Sequence, residues 1–184
     1  MSRTGKNIVA VLRGNLILGF YSFMRKCSFK NPIRIFKGTE IIVDRKGKLV
    51  LGKGIAFGMR CVCSVREDAR IVLKDQVFIN SDCKIVAHER IEIGKGTIIG
   101  PNVLIYDHDH LFDVETGVKR KEYVTSEVVI GENCWVGANT VILRGTHIGN
   151  NCIIGAGSVV KGNYSDGTKI IQKRTLDIKM GVPE

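Results

Sequence analysis

The chain has 184 residues, 44% of them hydrophobic, and a formal net charge of +10; it is long enough for one domain with a sizeable core. The charge is uneven: residues 1–54 hold twelve Lys and Arg against only Glu40 and Asp44, and the remainder is neutral. Six cysteines with no C-x-x-C pair argue against a zinc or redox motif. Cys61, Cys83, Cys134 and Cys152 fall on the small-residue position of a six-residue repeat and Cys63 on its apolar position, so they read as inward-facing small hydrophobes. That excludes a disulfide scaffold and fits a reducing cytoplasm. No small-residue cleavage site follows the basic start, so no signal peptide is expected.

Residues 7–26 are apolar, with Arg13 near the middle and Gly14 and Gly19 inside. Ile8, Val11, Leu12, Leu16, Phe20 and Phe23 fall at helical spacing along one side. The run is too short and too charged to span a bilayer. Two readings stay open. One is a helix that caps the exposed end of a solenoid core. The other is peripheral contact with the inner membrane surface, with Arg3, Lys6, Arg13, Arg25, Lys26, Lys30, Arg34 and Lys37 facing anionic headgroups. No stacking pattern or known motif accompanies the charge, so a nucleic-acid partner is not expected.

From about Pro32 the pattern is strand-like, through Ile33, Ile35, Ile41 and Val43. Sixes then begin imperfectly with LGKGIA (51–56) and FGMRCV (57–62), and register returns at Ile79, Ile85, Ile93, Ile99 and Ile105. Two extra residues between Ile85 and Glu92 predict a small corner bulge. Between Ile105 and Ile130 the rhythm breaks, and a protruding irregular loop is expected over about 106–128. Such an interruption of a regular solenoid is usually functional.

From Ile130 to Lys161 the sixes are regular: IGENCW, VGANTV, ILRGTH, IGNNCI, IGAGSV, VK. An aliphatic residue opens each (Ile130, Val136, Ile142, Ile148, Ile154, Val160), and a small residue stands four places later. This period marks a parallel β-helix, whose short strands bury their apolar side only when coils stack. At about 3.3 Å per residue, six residues make one side and three sixes close a triangular coil. The expected organisation is a helical cap over 1–40, the solenoid over 41–162, and a tail over 163–184 with a short strand at Thr168 to Gln172.

The interrupting loop opens with Tyr106-Asp107-His108-Asp109-His110, the densest titratable cluster in the chain. Counting sides puts Ile105 above Ile85, so His88 and His108, each three residues further on, should meet on adjacent coils. A histidine there suits general-base work near neutral pH, drawing a proton from a sugar hydroxyl as it attacks a thioester carbonyl. The developing oxyanion would need a backbone N–H or a polar side chain. His147 reads as an ordinary edge residue. A zinc site from His88, His108 and His110 would compare with the γ-class carbonic anhydrases, whose second and third ligands are five apart; here the loop histidines are two apart, so zinc-dependent hydration ranks behind the other readings and no metal is expected.

Three segments, I-G-P-N-V-x-I-x-x-x-x-H (99–110), V-I-G-x-N-x-W-V-G-A (129–138) and I-G-A-G-S-V-V (154–160), together resemble the hexapeptide-repeat O-acetyltransferases, among them the galactoside and maltose enzymes and the capsule or lipopolysaccharide enzymes. The resemblance covers roughly residues 50–162. It implies an all-β fold, a left-handed parallel β-helix, a homotrimer with active sites between subunits, and acetyl-CoA as donor. It further implies His108 as catalytic base, with His110 the fallback, and Asn80 as a contact of the acceptor or oxyanion. Trp135 would line the same cleft, with His88, Tyr106 and Asp107 near the acceptor. Ala138, Ala156 and Lys161 would lie beside the CoA arm and nucleotide, where Gly137, Gly155 and Gly157 would let the backbone approach. The usual G-x-P-A tail is absent, leaving Lys169, Lys173 and Arg174 as phosphate contacts. The basic N-terminus favours a polysaccharide or glycolipid precursor over a free sugar. The alternatives are N-acetylation of an amino sugar or other small acceptor, and a non-catalytic solenoid scaffold.

Overall fold

A computed structural model describes residues 2–173; Arg174 lies outside the described residues. The chain winds into a left-handed parallel β-helix with three faces, which among the described residues carry seven, seven and six strands. The first face starts at Cys27–Lys30, the second at Arg34–Ile35 and the third at Glu40–Val43, and the chain visits them in that order. Strand pairing therefore begins before residue 41 and continues to Lys169–Ile170 beyond residue 162. After Lys161, Asn163–Tyr164 and Lys169–Ile170 add strands to two faces, the second of them inside the strand expected at Thr168 to Gln172.

The repeat explains the geometry residue by residue. Ile79, Ile99, Val136, Ile154 and Ile170 stand in one column up the second face, the first four fully buried. Each fully buried aliphatic side chain contributes about 1.5–3 kcal/mol, so the columns form the core. The small-residue position does more than fit a narrow space. Thr97 Oγ1 donates to Gly131 O (2.8 Å), Ser158 Oγ to Gly155 O (2.7 Å) and Cys134 Sγ to Gly149 O (3.0 Å). These bonds satisfy turn carbonyls that a buried corner would otherwise leave unpaired. All six cysteines are free and buried. At the corners Asn133, Asn139 and Asn151 adopt φ of 54° to 57°, the left-handed region asparagine tolerates.

The N-terminal helix, Arg3–Phe23, starts at Ser2, whose Oγ accepts from Gly5 N at 3.1 Å. It packs on the first strands of the solenoid, but not through the row of large apolar residues. Ala10, Gly14 and Leu18, spaced four apart, form the buried seam. A Cβ on Gly14 would lie 2.5 Å from Ile33 O, so only glycine permits this approach. Tyr21 Oη donates to Ile41 O at 3.0 Å. Small residues bring the helix close, and the larger Ile8, Leu12, Leu16, Phe20 and Phe23 are turned to solvent. No helix among the described residues is long and apolar enough to cross a membrane.

The interruption after Ile105 is not irregular. His108–Asp113 and Gly117–Thr125 form an antiparallel hairpin, pairing His108 with Thr125 and His110 with Tyr123. Its turn is closed by Asp113 Oδ1, which accepts from Glu115 N and Thr116 N. The hairpin projects from the corner between the third and first faces, since it joins Leu104–Tyr106 to Val128–Ile130.

Candidate active site

The register puts Ile105 over Ile85, and the two histidines beyond them converge at this corner. The ring centroids of His88 and His108 are 4.1 Å apart. The corner bulge at His88 and Glu89 has a role: the backbone N–H groups of both donate to the carboxylate of Asp107, each at 2.8 Å. Asp107 is fully buried, and its Oδ1 also lies 3.1 Å from Nδ1 of His108. A buried carboxylate thus bonded needs its partners. It holds the His108 ring with Nδ1–H toward the acid, leaving Nε2 as the proton-accepting nitrogen.

Aromatic rings complete the wall. Tyr123 lies 4.0 Å from the His88 ring, 4.8 Å from His110 and edge-on to His108 at 5.4 Å. Tyr106 stands edge-on to His108 on the other side at 5.7 Å, and its burial raises the phenol pKa. Burial pushes the pKa of His88 down, and the neighbouring His108 pushes it further. His88 is therefore neutral at pH 7 and does not oppose a positive charge arriving on His108. Only 14% of the His108 side-chain surface is exposed, which shields it from bulk water.

The other loop residues separate by contact. Asp109 pairs with Arg144 Nε on the next coil, which ties the hairpin to the solenoid and leaves Asp107 as the acid that orients His108. His110 is exposed and packs on Tyr123; among the described residues no carboxylate bonds its ring. His147 pairs loosely with Glu127 at 3.7 Å on the outer surface. Among the described residues no group of three His, Cys, Asp or Glu side chains is placed to hold a metal ion.

The residues assigned by resemblance divide between two corners. Lys161, after Val159–Val160, lies two coils above His108 and three above His88 in the same corner column. Asn80, Gly137, Ala138, Gly155, Ala156 and Gly157 lie at the corner between the second and third faces. The strand Lys84–Ala87 runs between the two corners, so Asn80 and His108 are roughly 15–20 Å apart within one chain. Asn80 Oδ1 accepts from Ser81 N at 2.8 Å, and among the described residues its NH₂ has no hydrogen-bond partner. Trp135 is half exposed on the outer surface of the second face, stacked in register between Ile98 and Ile153.

Two of the three glycines have structural reasons of their own. A Cβ on Gly137 would lie 2.5 Å from Ala156 N on the next coil, and Gly157 adopts φ +71°. Sequence reasoning missed Tyr123, fifteen residues from His108, because only the hairpin's antiparallel register brings it to the site.

Residues 127–162 match the family pattern described as bacterial transferase hexapeptide (six repeats). The chain is 33% identical over 153 residues to WbbJ of Escherichia coli strain K12, a protein assigned to lipopolysaccharide biosynthesis as an O-acetyl transferase, with 75% of this chain and 78% of WbbJ covered. The chain belongs to the hexapeptide-repeat acetyltransferase family. Within that family, a hexapeptide-repeat acetyltransferase of Vibrio cholerae solved with acetyl-CoA is 25% identical, with a TM-score of 0.55 over 72% of this chain and 64% of that one. A mutant of AntD, an N-acyltransferase of Bacillus cereus solved with dTDP-4-amino-4,6-dideoxyglucose and coenzyme A, shares the fold at 17% identity, with a TM-score of 0.71 over 92% and 89%.

Proposed function

We propose that this hexapeptide-repeat acetyltransferase moves the acetyl group of acetyl-CoA to a sugar hydroxyl, in a polysaccharide or glycolipid precursor. The observation that carries this reading is the pair of buried Asp107 and His108 at 3.1 Å. A hydroxyl is a weak nucleophile until a base takes its proton during attack, and an amine that is already unprotonated needs less help. His108 accepts the hydroxyl proton at Nε2 while the oxygen attacks the thioester carbonyl carbon. The imidazolium formed is stabilised by the Asp107 carboxylate, the logic of a base held by an acid behind it. As the tetrahedral intermediate collapses, the carbon–sulfur bond breaks and the same proton passes to the departing sulfur.

The oxyanion needs a donor, and the Asn80 NH₂ group or a backbone amide fills that role. Because Asn80 stands at another corner of its own chain, a second copy supplies it. A homotrimer, which the family resemblance implies, has three such shared sites. Trp135 then lines the acceptor cleft, with His88 and Tyr106 across it and His110 at its rim. Ala138, Ala156 and Lys161 flank the donor.

The test is CoA release from acetyl-CoA across a panel of saccharide acceptors, with the product bond identified by mild-base treatment. A base-labile acetyl ester supports the reading. A stable amide on an amino sugar replaces it with N-acetylation, and an assembled protein that binds no acetyl-CoA replaces it with a scaffold.

A further inference from the structure

The side of the N-terminal helix opposite its buried seam is almost wholly apolar. Ile8, Leu12, Leu16, Phe20 and Phe23 lie along it, and Leu16 and Phe23 are 78% and 89% exposed. Gly5 and Gly19 fall between them, so no charge interrupts the row. A continuous outward apolar face of this kind on a folded chain marks a contact surface. Its surroundings are strongly cationic: residues 1–39 contain eight Lys and Arg and no acid. Lys6 and Arg13, seven residues apart, share one flank of the helix.

We propose that this face lies in the plane of an anionic lipid bilayer, with the helix buried to the depth of its apolar side chains and the flanking cations at the headgroups. The helix does not qualify as a span, and an outward apolar face with basic flanks is the pattern of an in-plane helix. Charge argues for lipid over a second copy of the same face. The eight cations of residues 1–39 outweigh the acid at the edge of the face, Glu40, which lines a groove with Leu16 and Phe20, so self-contact would bring like charges together, whereas anionic headgroups neutralise them.

The flank carrying Lys6 and Arg13 also borders a groove of about 530 Å³ between the helix and the second face. Phe36 and Phe78 contribute apolar lining, Lys37 adds a third cation, and Asn80 is also part of the lining. A bilayer under the helix thus places a headgroup phosphate beside the corner assigned to the acceptor. That delivery rests on the acetyl-transfer reading; the docking does not.

Co-sedimentation of the full chain with phosphatidylcholine vesicles, with and without phosphatidylglycerol, and with no acetyl-CoA present, tests the docking. The expected result is a bound fraction about tenfold higher with phosphatidylglycerol, falling as salt is raised. Leu12→Glu with Leu16→Glu, both at exposed positions, should abolish binding and leave the thermal midpoint and oligomeric mass unchanged. Lys6→Gln with Arg13→Gln should weaken the preference for phosphatidylglycerol. Wild-type protein that stays unbound overturns the proposal, whatever the variants do. So does vesicle binding that survives the glutamate pair, or a glutamate pair that dissociates the oligomer, which would make the face a subunit contact. Loss of acetyl transfer with vesicle binding intact would count against the catalytic reading alone.

Discussion

The carboxylate of Asp107 and the imidazole of His108, adjacent in sequence, meet at 3.1 Å, although successive residues of an extended strand point to opposite faces. The chain turns out of the solenoid at this point. Asp107 is buried against the backbone of the coil below, and His108 opens the hairpin beside it. The oriented base is thus a product of the place where the regular coil is interrupted.

Asp107→Asn should separate orientation from shape. The amide keeps the volume but cannot accept from both His88 N and Glu89 N while also accepting from His108. Stability should fall by about 1–3 kcal/mol from the unpaired buried donor, read as a lower urea midpoint. Turnover should fall further than His110→Ala lowers it.

Low pH should weaken the fold through His88. Its folded pKa is depressed, by burial first and by His108 second, so the unfolded chain binds more protons between the folded value and the usual histidine value near 6.5. The stability is therefore fully present above about pH 6.5 and is lost as pH falls through the folded pKa. Urea midpoints compared across that window should drop on acidification in the wild type and drop less in His88→Gln.

Two helix glycines should respond with opposite signs to alanine. Gly19 has nothing within 4 Å of an added Cβ, so Gly19→Ala should gain up to about 1 kcal/mol from helix propensity. At Gly14 the added Cβ would lie 2.5 Å from Ile33 O, so Gly14→Ala should lose about 1–3 kcal/mol as the cap is forced off the first coil. Equal shifts in the two midpoints would contradict the close-approach explanation.

If each site takes His108 from one copy and Asn80 from the next, two inactive variants should rescue each other. His108→Ala and Asn80→Ala, unfolded together and reassembled at equal amounts, should recover about one quarter of wild-type activity, the chance that an interface draws an intact residue from each side. Recovery absent from a properly assembled mixture would place both roles within one chain.

The regular part of this structure was plain in the sequence because the coil is one-dimensional. A six-residue period fixes which side chains turn inward, and counting faces from Ile85 to Ile105 was enough to put His88 beside His108. The departures from period were less legible. Nothing local told a two-stranded hairpin from a loop over residues 108–125, and without its pairing Tyr123 had no address. The choice between Asp107 and Asp109 depended on the direction of the chain after Ile105. On the N-terminal helix, large apolar residues suggested the covering side, but the close approach of helix to coil required Ala10 and Gly14 there instead.

The most direct test of catalysis by the corner at His108 is the single-turnover rate of acetyl transfer in wild type, His108→Ala and His110→Ala, with acetyl-CoA affinity measured in parallel. Removing the base should lower the rate about 10² to 10⁴-fold at His108 alone, with donor affinity unchanged. A His108→Ala enzyme that transfers acetyl at the wild-type rate, or a loss of that size at His110 instead, would contradict the assignment.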